Sequence, residues 1–500
     1  MRLSEADSRS TDTNEFGDMP AVDFRQYGHQ LIDWISDYLS SIETRPVLAQ
    51  IAPGDLKRQL PISAPIKGES MEDIISDIDQ LLMPATTHWN HPSFFAYFAI
   101  TASMPGILGE LLSAAFNTNA MLWRTAPAST ELEEVTLNWL REMIGLPRSF
   151  EGIIYDTASI STMHAIAAAR ERLGIGIREE GLSGRSVPLL RVYASEHAHS
   201  SIEKALITLG HGQRSLCFIP ADDQFRMDPR LLAAAIEEDK SKGVLPCCVV
   251  ATVGTTSMAS IDPVKEIASI CGKHNVWLHI DAAYGGSAAV VPELRYVLDA
   301  CEQADSLVIN PHKWLFVPID LSVLFSRHMS VLKQAFSLVP EYLKTDEAST
   351  VINQMDYGIQ LGRRFRALKL WMVMRYFGQE GLATRIREHC RLAQIFASFI
   401  EEDPSWELLA PVHFSLVCFR AAPQISAQMN AQRDEEHEEL LNRLNERIMN
   451  EVNASGKTFL SHTRLKGRFV LRLAIGNIRT EERHVRQVWS LLQESFEKNR

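Results

Sequence analysis

The heptapeptide "NPHKWLF" (310–316) sets Lys313 between two apolar, strand-like runs, "DSLVI" (305–309) and "VPIDLSVLF" (317–325). Burial disfavours an ammonium, and a neutral amine is a nucleophile toward carbonyl carbon. Taken alone, the segment equally suits a loop lysine whose stem snorkels to water. Other residues have to decide. Asp281 closes the run "VWLHID" (276–281), where a carboxylate either caps a helix or partners a buried cation. "DTASIST" (156–162) opens a helix with small hydroxyl residues; Thr157, Ala158 and Ser159 offer hydroxyls and N–H groups at a positive helix end, as a phosphate or an ordinary N-cap requires. His197 and His199 in "SEHAHSSIEKA" (195–205) suit capping, a metal pair lacking a third ligand, or a ring laid on an aromatic cofactor. "VGTTSMASIDP" (253–263) adds a Gly-Thr-Thr turn. An amine, an acid, a stacking imidazole and a phosphate cradle together describe a site for pyridoxal 5′-phosphate. Lys313 would form the imine, and Asp281 would keep the ring nitrogen protonated.

These residues all follow β-rich runs. Strands are expected at 152–155, 189–194, 216–220, 247–252, 276–281, 306–310 and 321–326, with helical stretches such as 159–174 and 262–275 between them. Apolar strands alternating with helices give an α/β fold with a mostly parallel seven-stranded sheet covered on both faces. Ligands in such sheets bind at the carboxyl ends of the strands, which gathers the loops after 155, 194, 252, 281 and 310 around one cleft.

The flanks read differently. Residues 1–19 are polar and expected to be frayed; 20–103 form a helical N-terminal segment, 104–372 the large cofactor-binding domain, and 373–500 a small α+β domain. Within the N-terminal segment, 20–50 reads as a helix and 70–83 as a second one, with Ser70 and Asp73 as its capping box and Pro84 as its stop. "THWNHPSFFAYFAITASMP" (87–105) fits neither helical nor strand period and serves as core connector or as the wall of a pocket for a flat apolar ligand. A long helix follows "LGRRFRALKLWMVMRYFG" (361–378). Strands are expected at 413–421 and 468–477, and helices at 434–453 and 480–498.

Composition excludes several classes. With 62 acidic against 50 basic side chains, a net charge of −12 and no basic stripe, the chain is no nucleic-acid binder. Seven cysteines with no CxxC pair fit a reducing cytosol, no run reaches membrane-spanning length without charge, and the chain is read as cytoplasmic. No metal-ligand set is found: "HEEL" (437–440) is followed by Leu441 and is not HExxH. "LGIGIREEG" (173–181) follows a helix, so it is no dinucleotide fingerprint.

Seven segments in order, "DFRQYGHQLIDWISDYL", "THWNHPSFFAYF", "TELEEVTLNWLREMIGLP", "AHSSIEKA", "VWLHIDAAYGGSA", "NPHKWLF" and "LGRRFRALKLW", carry a resemblance over nearly the whole chain from about residue 23. The sequence resembles the pyridoxal-phosphate decarboxylases of the aromatic L-amino acid decarboxylase family, group II of the fold type I enzymes. The resemblance implies a homodimer with active sites at the interface and the N-terminal region lapping over the partner. It matches Lys313 to the Schiff-base lysine, Asp281 to the pyridinium partner, His199 to the ring-stacking residue and Ala283 to the small residue beneath the ring. Thr157, Ala158, Ser159 and Asn310 match phosphate-site positions, Thr256 a residue near the cofactor, and His312 the histidine beside the lysine. Trp89, Tyr97 and Phe98 match the aromatic substrate pocket, and Ile100, Asn119, Met121 and Gly362 fall at further substrate positions. Ala99 and Ile100 replace a usual proline, and Asn119 and Met121 replace apolar or aromatic residues. Gly362 stands where plant tyrosine-preferring members often carry Ser, and leaves room for an indole. Tyr342, in "VPEYLKT", matches the mobile-loop tyrosine that protonates the carbanion.

The implied activity is decarboxylation of a tryptophan, tyrosine or DOPA type substrate to its amine. Three alternatives stand beside it: an aldehyde synthase, a decarboxylase of a non-aromatic amino acid, and a catalytically silent cofactor-binding scaffold. Related aldehyde synthases alter the loop tyrosine or the stacking histidine, and this chain keeps both.

Overall fold

The structure is a computed structural model that describes residues 17–338, 343, 350–423 and 431–499. The chain divides into two compact units, Met1–His88 and Trp89–Arg500.

In the first unit the opening helix spans Ala21–Ser40 and stops short of the expected residue 50. Two causes are visible. The Ser40 and Ser41 hydroxyls both donate to the Asp37 carbonyl, at 3.1 and 2.6 Å, competing with the next helical turn. Arg45 is extended (φ −100°, ψ 152°), as a residue before proline prefers, and Pro46 follows. The second helix, Met71–Asp77, continues as a π-turn over Ile78–Leu82 and ends before Pro84. Its capping box is half-formed. The Ser70 hydroxyl accepts the Asp73 N–H at 3.1 Å, but the Asp73 carboxylate takes the Ser70 hydroxyl rather than its backbone N–H.

The second unit is built on a seven-stranded sheet: β1 Glu151–Tyr155, β2 Leu190–Ser195, β3 Leu216–Ile219, β4 Leu245–Thr252, β5 Trp277–Asp281, β6 Ser306–Ile309 and β7 Ser322–Ser326. The order is β1-β7-β6-β5-β4-β2-β3, and β7 alone runs against the others. All seven strands lie where expected, in the α/β architecture of the fold type I enzymes. Val249, Ile280, Leu307 and Val323 are wholly buried at the sheet's centre. Each such side chain contributes roughly 2 kcal/mol.

A second sheet, of four antiparallel strands, comprises β8 Trp406–Leu408, β9 Leu416–Ala421, β10 Ser461–Leu465 and β11 Arg468–Ala474 in the order β10-β11-β9-β8. Only β9 and β11 are foreseen from sequence; β8 is three residues long, and β10 is too polar ("SHTRL") to read as a strand. The helices Ala431–Ala454 and Glu482–Asn499 cover this sheet through residues such as Ile448, Val485 and Leu492. The long helix Ala367–Glu402 turns at Gly378, whose φ of 62° an L side chain rarely adopts. The connector 87–105 is irregular and largely core: Phe94 and Phe95 are fully buried, and Phe95 joins the second sheet through bonds to Phe459 and Ala474.

His389 ties the long helix to the segments that follow β6 and β11. Its Nδ1 accepts the Trp314 indole N–H at 2.9 Å and its Nε2 donates to the Asn477 carbonyl at 3.0 Å, a pattern only the neutral ring satisfies. Burial pushes His389 down to about 4, and His279 likewise to about 4. An unfolded imidazole titrates near 6.5, so unfolding takes up protons between the two values. Stability is therefore fully present above pH 6.5 and falls as pH drops toward 4, by roughly 1.4 kcal/mol per pH unit for each such histidine. Melting temperatures from pH 7 to 4.5 check this: the wild-type curve should fall steeply, and His389→Gln should lose about one proton of that slope. An unchanged slope in the variant would remove His389 from the account.

Candidate active site

The carboxyl ends of five strands converge on a cavity of about 200 Å³. After β1 come Thr157, Ala158 and Ser159, at the start of the helix Ala158–Arg172; after β2, His199 and Ser201. β4 ends in Thr252, Gly254 and Thr256, β5 in Asp281, Ala283 and Tyr284, and β6 in Asn310, His312 and Lys313. Phe98 of the connector completes the wall. Each of the ten positions matched to the cofactor thus lines the same cavity.

The local folding explains the convergence. The chain leaves β6 through a single helical turn, Pro311–Trp314, in which the Lys313 N–H bonds to the Asn310 carbonyl at 2.9 Å. Burial lowers the Lys313 amine below its ordinary range, and the Asp281 carboxylate opposes that shift. Asp281 is itself buried and accepts the Ala283 N–H at 3.1 Å. His199 takes the Ser201 N–H on Nδ1 at 3.1 Å, which assigns its proton to Nε2; burial lowers its pKa while Asp281 draws it back up. His312 takes the Leu321 N–H on Nδ1 at 2.9 Å, and burial, reinforced by Lys313, pushes it down to about 3. Both imidazoles are neutral at pH 7 and present an N–H.

The apolar side is a stack of rings. Phe98 lies on Tyr284 with centroids 3.8 Å apart and an interplanar angle of 18°, and Tyr284 lies on Trp314 at 4.8 Å. The Lys313 Nζ sits 5.5 Å from the Phe98 centroid.

The model of the pyridoxal-dependent decarboxylase conserved domain matches residues 53–422. The chain belongs to the pyridoxal-dependent decarboxylase family. Tryptophan decarboxylase 2 of Oryza sativa subsp. japonica is 41% identical over 490 residues, 96% of each chain. Phenylacetaldehyde synthase of Arabidopsis thaliana is 39% identical over 486 residues, 95% of this chain and 96% of that one. Among solved structures, an Oryza sativa TDC holding PLP and tryptamine superposes with a TM-score of 0.91 at 36% identity, over 97% of this chain and 99% of that one.

The decarboxylase is a carboxy-lyase that uses pyridoxal 5′-phosphate, and its cavity fits that group. Two buried polar atoms on the wall, Thr252 Oγ1 and Asn310 Oδ1, have no hydrogen-bond partner among the described residues, as expected of a site built for a polar ligand. The amine, the carboxylate and the helix start at Ala158 stand on the same wall.

The substrate positions are placed otherwise. Of the seven, only Phe98 lines the cavity. Trp89 stacks on Phe94 at 4.3 Å and on Tyr97 at 5.7 Å, and Tyr97 is 52% exposed. Ile100 is half-buried and lines no part of the cavity. Asn119 accepts the Arg363 N–H at 3.0 Å, Met121 packs beside Leu122, Leu343 and Met355, and a Cβ on Gly362 would meet nothing within 4 Å. Tyr342 lies outside the described residues.

Four wall residues escaped the sequence reading: Ser201, Thr252, Gly254 and Tyr284. Thr252 carried a signal, since it ends "CCVVAT", one of the five strand termini. Arg472 on β11, behind the wall, carried none. It donates to the Thr256 carbonyl at 2.7 Å, the Ser257 carbonyl at 2.9 Å and the Ser461 hydroxyl at 2.8 Å, with its guanidinium carbon 5.5 Å from the Phe98 centroid.

Because the Asp281 carboxylate favours the ammonium form of Lys313, Asp281→Asn should lower the amine's pKa further. The pH midpoint for reductive alkylation of Lys313 in the cofactor-free protein reads this directly by peptide mass mapping. A midpoint that stays put or rises would separate the two groups electrostatically.

Proposed function

We propose that the decarboxylase acts on an aromatic L-amino acid of the tryptophan, tyrosine or DOPA type, releasing CO2 and the corresponding amine. The observation that carries this reading is the Phe98–Tyr284 ring stack forming the wall beside the Lys313 amine. A flat apolar face lowers the local dielectric and accepts an aromatic side chain. A tryptophan decarboxylase at 41% identity and a tryptamine-bound neighbour support the same substrate class.

The residues divide the work. Lys313, its amine made less basic by burial, would hold the cofactor's aldehyde carbon and later displace the product. Asp281 would keep a proton on the pyridine nitrogen, and Thr157, Ala158, Ser159 and Asn310 would hold the phosphate, with Thr256 and His312 beside it. His199 would cover one face of the ring and Ala283 lie under the other. Bound pyridoxal phosphate supplies an electron sink for the pair left at Cα when CO2 departs. Fixing the carboxylate bond across the ring face is an orientation task, which falls to the cavity wall. One proton must then enter at Cα for each CO2 lost, and we assign its delivery to Tyr342.

We assign Trp89, Tyr97, Ile100, Asn119, Met121 and Gly362 to a substrate half-site completed by a second copy of the chain. The helix Met104–Phe116 supports a homodimer: Met104, Leu108, Leu111, Leu112 and Phe116 all stand exposed along it. Seven unbridged cysteines support a reducing, cytoplasmic setting, and among the described residues no helix is long and apolar enough to cross a membrane.

The Arabidopsis relative named for phenylacetaldehyde synthesis marks the second reading, in which oxygen intercepts the carbanion. Retention of His199 and Tyr342 supports the amine. Product analysis with tryptophan, 5-hydroxytryptophan, tyrosine, DOPA and phenylalanine should give amine equal to CO2 for at least one substrate. Aldehyde with peroxide would establish the synthase instead, and CO2 from glutamate or histidine alone would refute the aromatic assignment. Lys313→Ala should lose the visible absorption of the bound cofactor and cut turnover by roughly three orders of magnitude; a variant retaining both would displace Lys313 from its role.

A further inference from the structure

Thr252 ends β4 in register with Asp281 at the end of β5, its neighbour in the sheet. In parallel strands, residues in register present their side chains to the same face, so the Thr252 hydroxyl and the Asp281 carboxylate share one side of the sheet. Both line the cavity. The backbone of Thr252 is fully engaged: its N–H donates to Asp262 Oδ2 at 2.8 Å, and its carbonyl accepts the Asp262 N–H at 2.9 Å. Asp262 is wholly enclosed and also accepts the Met227 N–H at 2.8 Å, so the anchor is a stiff one. The side chain is 4% exposed, yet its Oγ1 has no hydrogen-bond partner among the described residues.

That combination has a physical implication. A buried hydroxyl without a partner destabilises a fold, and valine, of nearly the same shape and equally suited to a strand, would remove the penalty. Among the described residues the hydroxyls of Thr136, Thr162, Ser103, Ser129 and Ser287 are also buried without partners, but none of them lines the cavity. Thr255, three residues on, shows the ordinary outcome in this loop, its hydroxyl oxygen taking the Ser260 N–H at 3.0 Å. Thr252 shares its situation with Asn310, whose Oδ1 is likewise buried, unpartnered and on the wall.

We propose that the Thr252 hydroxyl supplies a hydrogen bond to pyridoxal phosphate, beside Asp281, and is a further cofactor-binding residue of this enzyme. The inference rests on the reading that the cofactor occupies this cavity. The hydroxyl is unsatisfied by the protein's own groups because its partner belongs to the ligand. Substituting it should cost cofactor affinity without costing the stability of the cofactor-free protein, the reverse of what a structural hydroxyl gives.

The test uses full-length protein stripped of cofactor and titrated with pyridoxal phosphate, following visible absorption, for the wild type, Thr252→Val and Thr252→Ser. Thr252→Val should raise the dissociation constant about five- to tenfold, the equivalent of one neutral hydrogen bond. Thr252→Ser, which keeps the hydroxyl, should stay within about twofold of wild type. Without cofactor, Thr252→Val should melt at or above the wild-type temperature, and cofactor should raise its melting temperature less. A Thr252→Val protein that binds as tightly as wild type, or whose cofactor-free form melts well below it, would overturn the assignment. Wild-type protein that takes up no cofactor would overturn the cofactor reading itself, and with it this inference.

Discussion

Lys313 and Asp281 line one cavity, and the pull of the carboxylate on the amine constrains what surrounds them. Burial drives the amine toward its neutral form, while the carboxylate beside it opposes that drive. Neither group is acceptable alone in such a place: a buried carboxylate or ammonium without a partner costs several kcal/mol. The sheet brings the two groups to one edge. β5 and β6 are adjacent and parallel, so their carboxyl ends emerge side by side, and the one-turn helix Pro311–Trp314 keeps Lys313 at that edge instead of releasing it into a loop.

The rest of the second unit holds this edge rigid from behind. Phe98, Tyr284 and Trp314 form a continuous stack, the Tyr284 hydroxyl bonds to that of Ser415 at 2.5 Å, and Trp314 donates to His389, which bonds Asn477. The second sheet thereby reaches the cavity wall through rings and hydrogen bonds together. Arg472 makes the same connection with charge. Its guanidinium is buried and, among the described residues, meets no carboxylate, unlike Arg363 with Glu133 or Arg420 with Glu407 and Glu438. Three oxygens on the Thr256–Ser257 turn and Ser461 take its donors. A positive charge kept without a counter-ion is tolerable next to a cleft that binds the phosphate we propose there, and would be expensive elsewhere.

The sequence made the sheet legible because its strands are short apolar runs between helical ones, a pattern that depends only on local period. The carboxyl-end rule then placed Thr157, His199, Thr256, Asp281 and Lys313 on one cleft with no further information. What local pattern could not carry was partnership. Thr252 is marked out by a buried hydroxyl with no hydrogen-bond partner among the described residues, which is a fact of three dimensions. Arg472 lies 159 residues beyond Lys313 in the numbering, and only tertiary packing joins it to the Thr256 turn. β8 failed because it is only three residues long and β10 for lack of apolar content, and the first helix was overrun because its apolar spacing outlasts the serines and proline that end it. The substrate positions were legible by resemblance alone. Six of the seven stand off the cavity, and the half-site we propose between two copies would leave no trace in one chain's periodicity.

Asp156 shows how the helix start we propose as the phosphate cradle accommodates an acidic neighbour. A carboxylate there is a poor choice by charge, since a helix end offers only about half a unit of positive charge against it and a phosphate together. The structure answers by engaging the carboxylate fully. Oδ1 takes the Thr157 N–H at 2.5 Å and the Thr157 hydroxyl at 3.2 Å, and Oδ2 takes the Gln360 side-chain amide at 3.1 Å. The donors that remain at the helix start belong to Ala158 and Ser159, one and two residues further in, where the peptide dipoles all point the same way. Gln360 is itself held in place: three residues on, Arg363 donates to Glu133 at 2.9 Å and to the Ile154 carbonyl at 2.7 Å, on the strand that leads to Asp156. The acidic residue is thereby part of a brace between β1 and the segment carrying Gln360, and the cradle is left to groups that any sequence with small residues at 158 and 159 could provide.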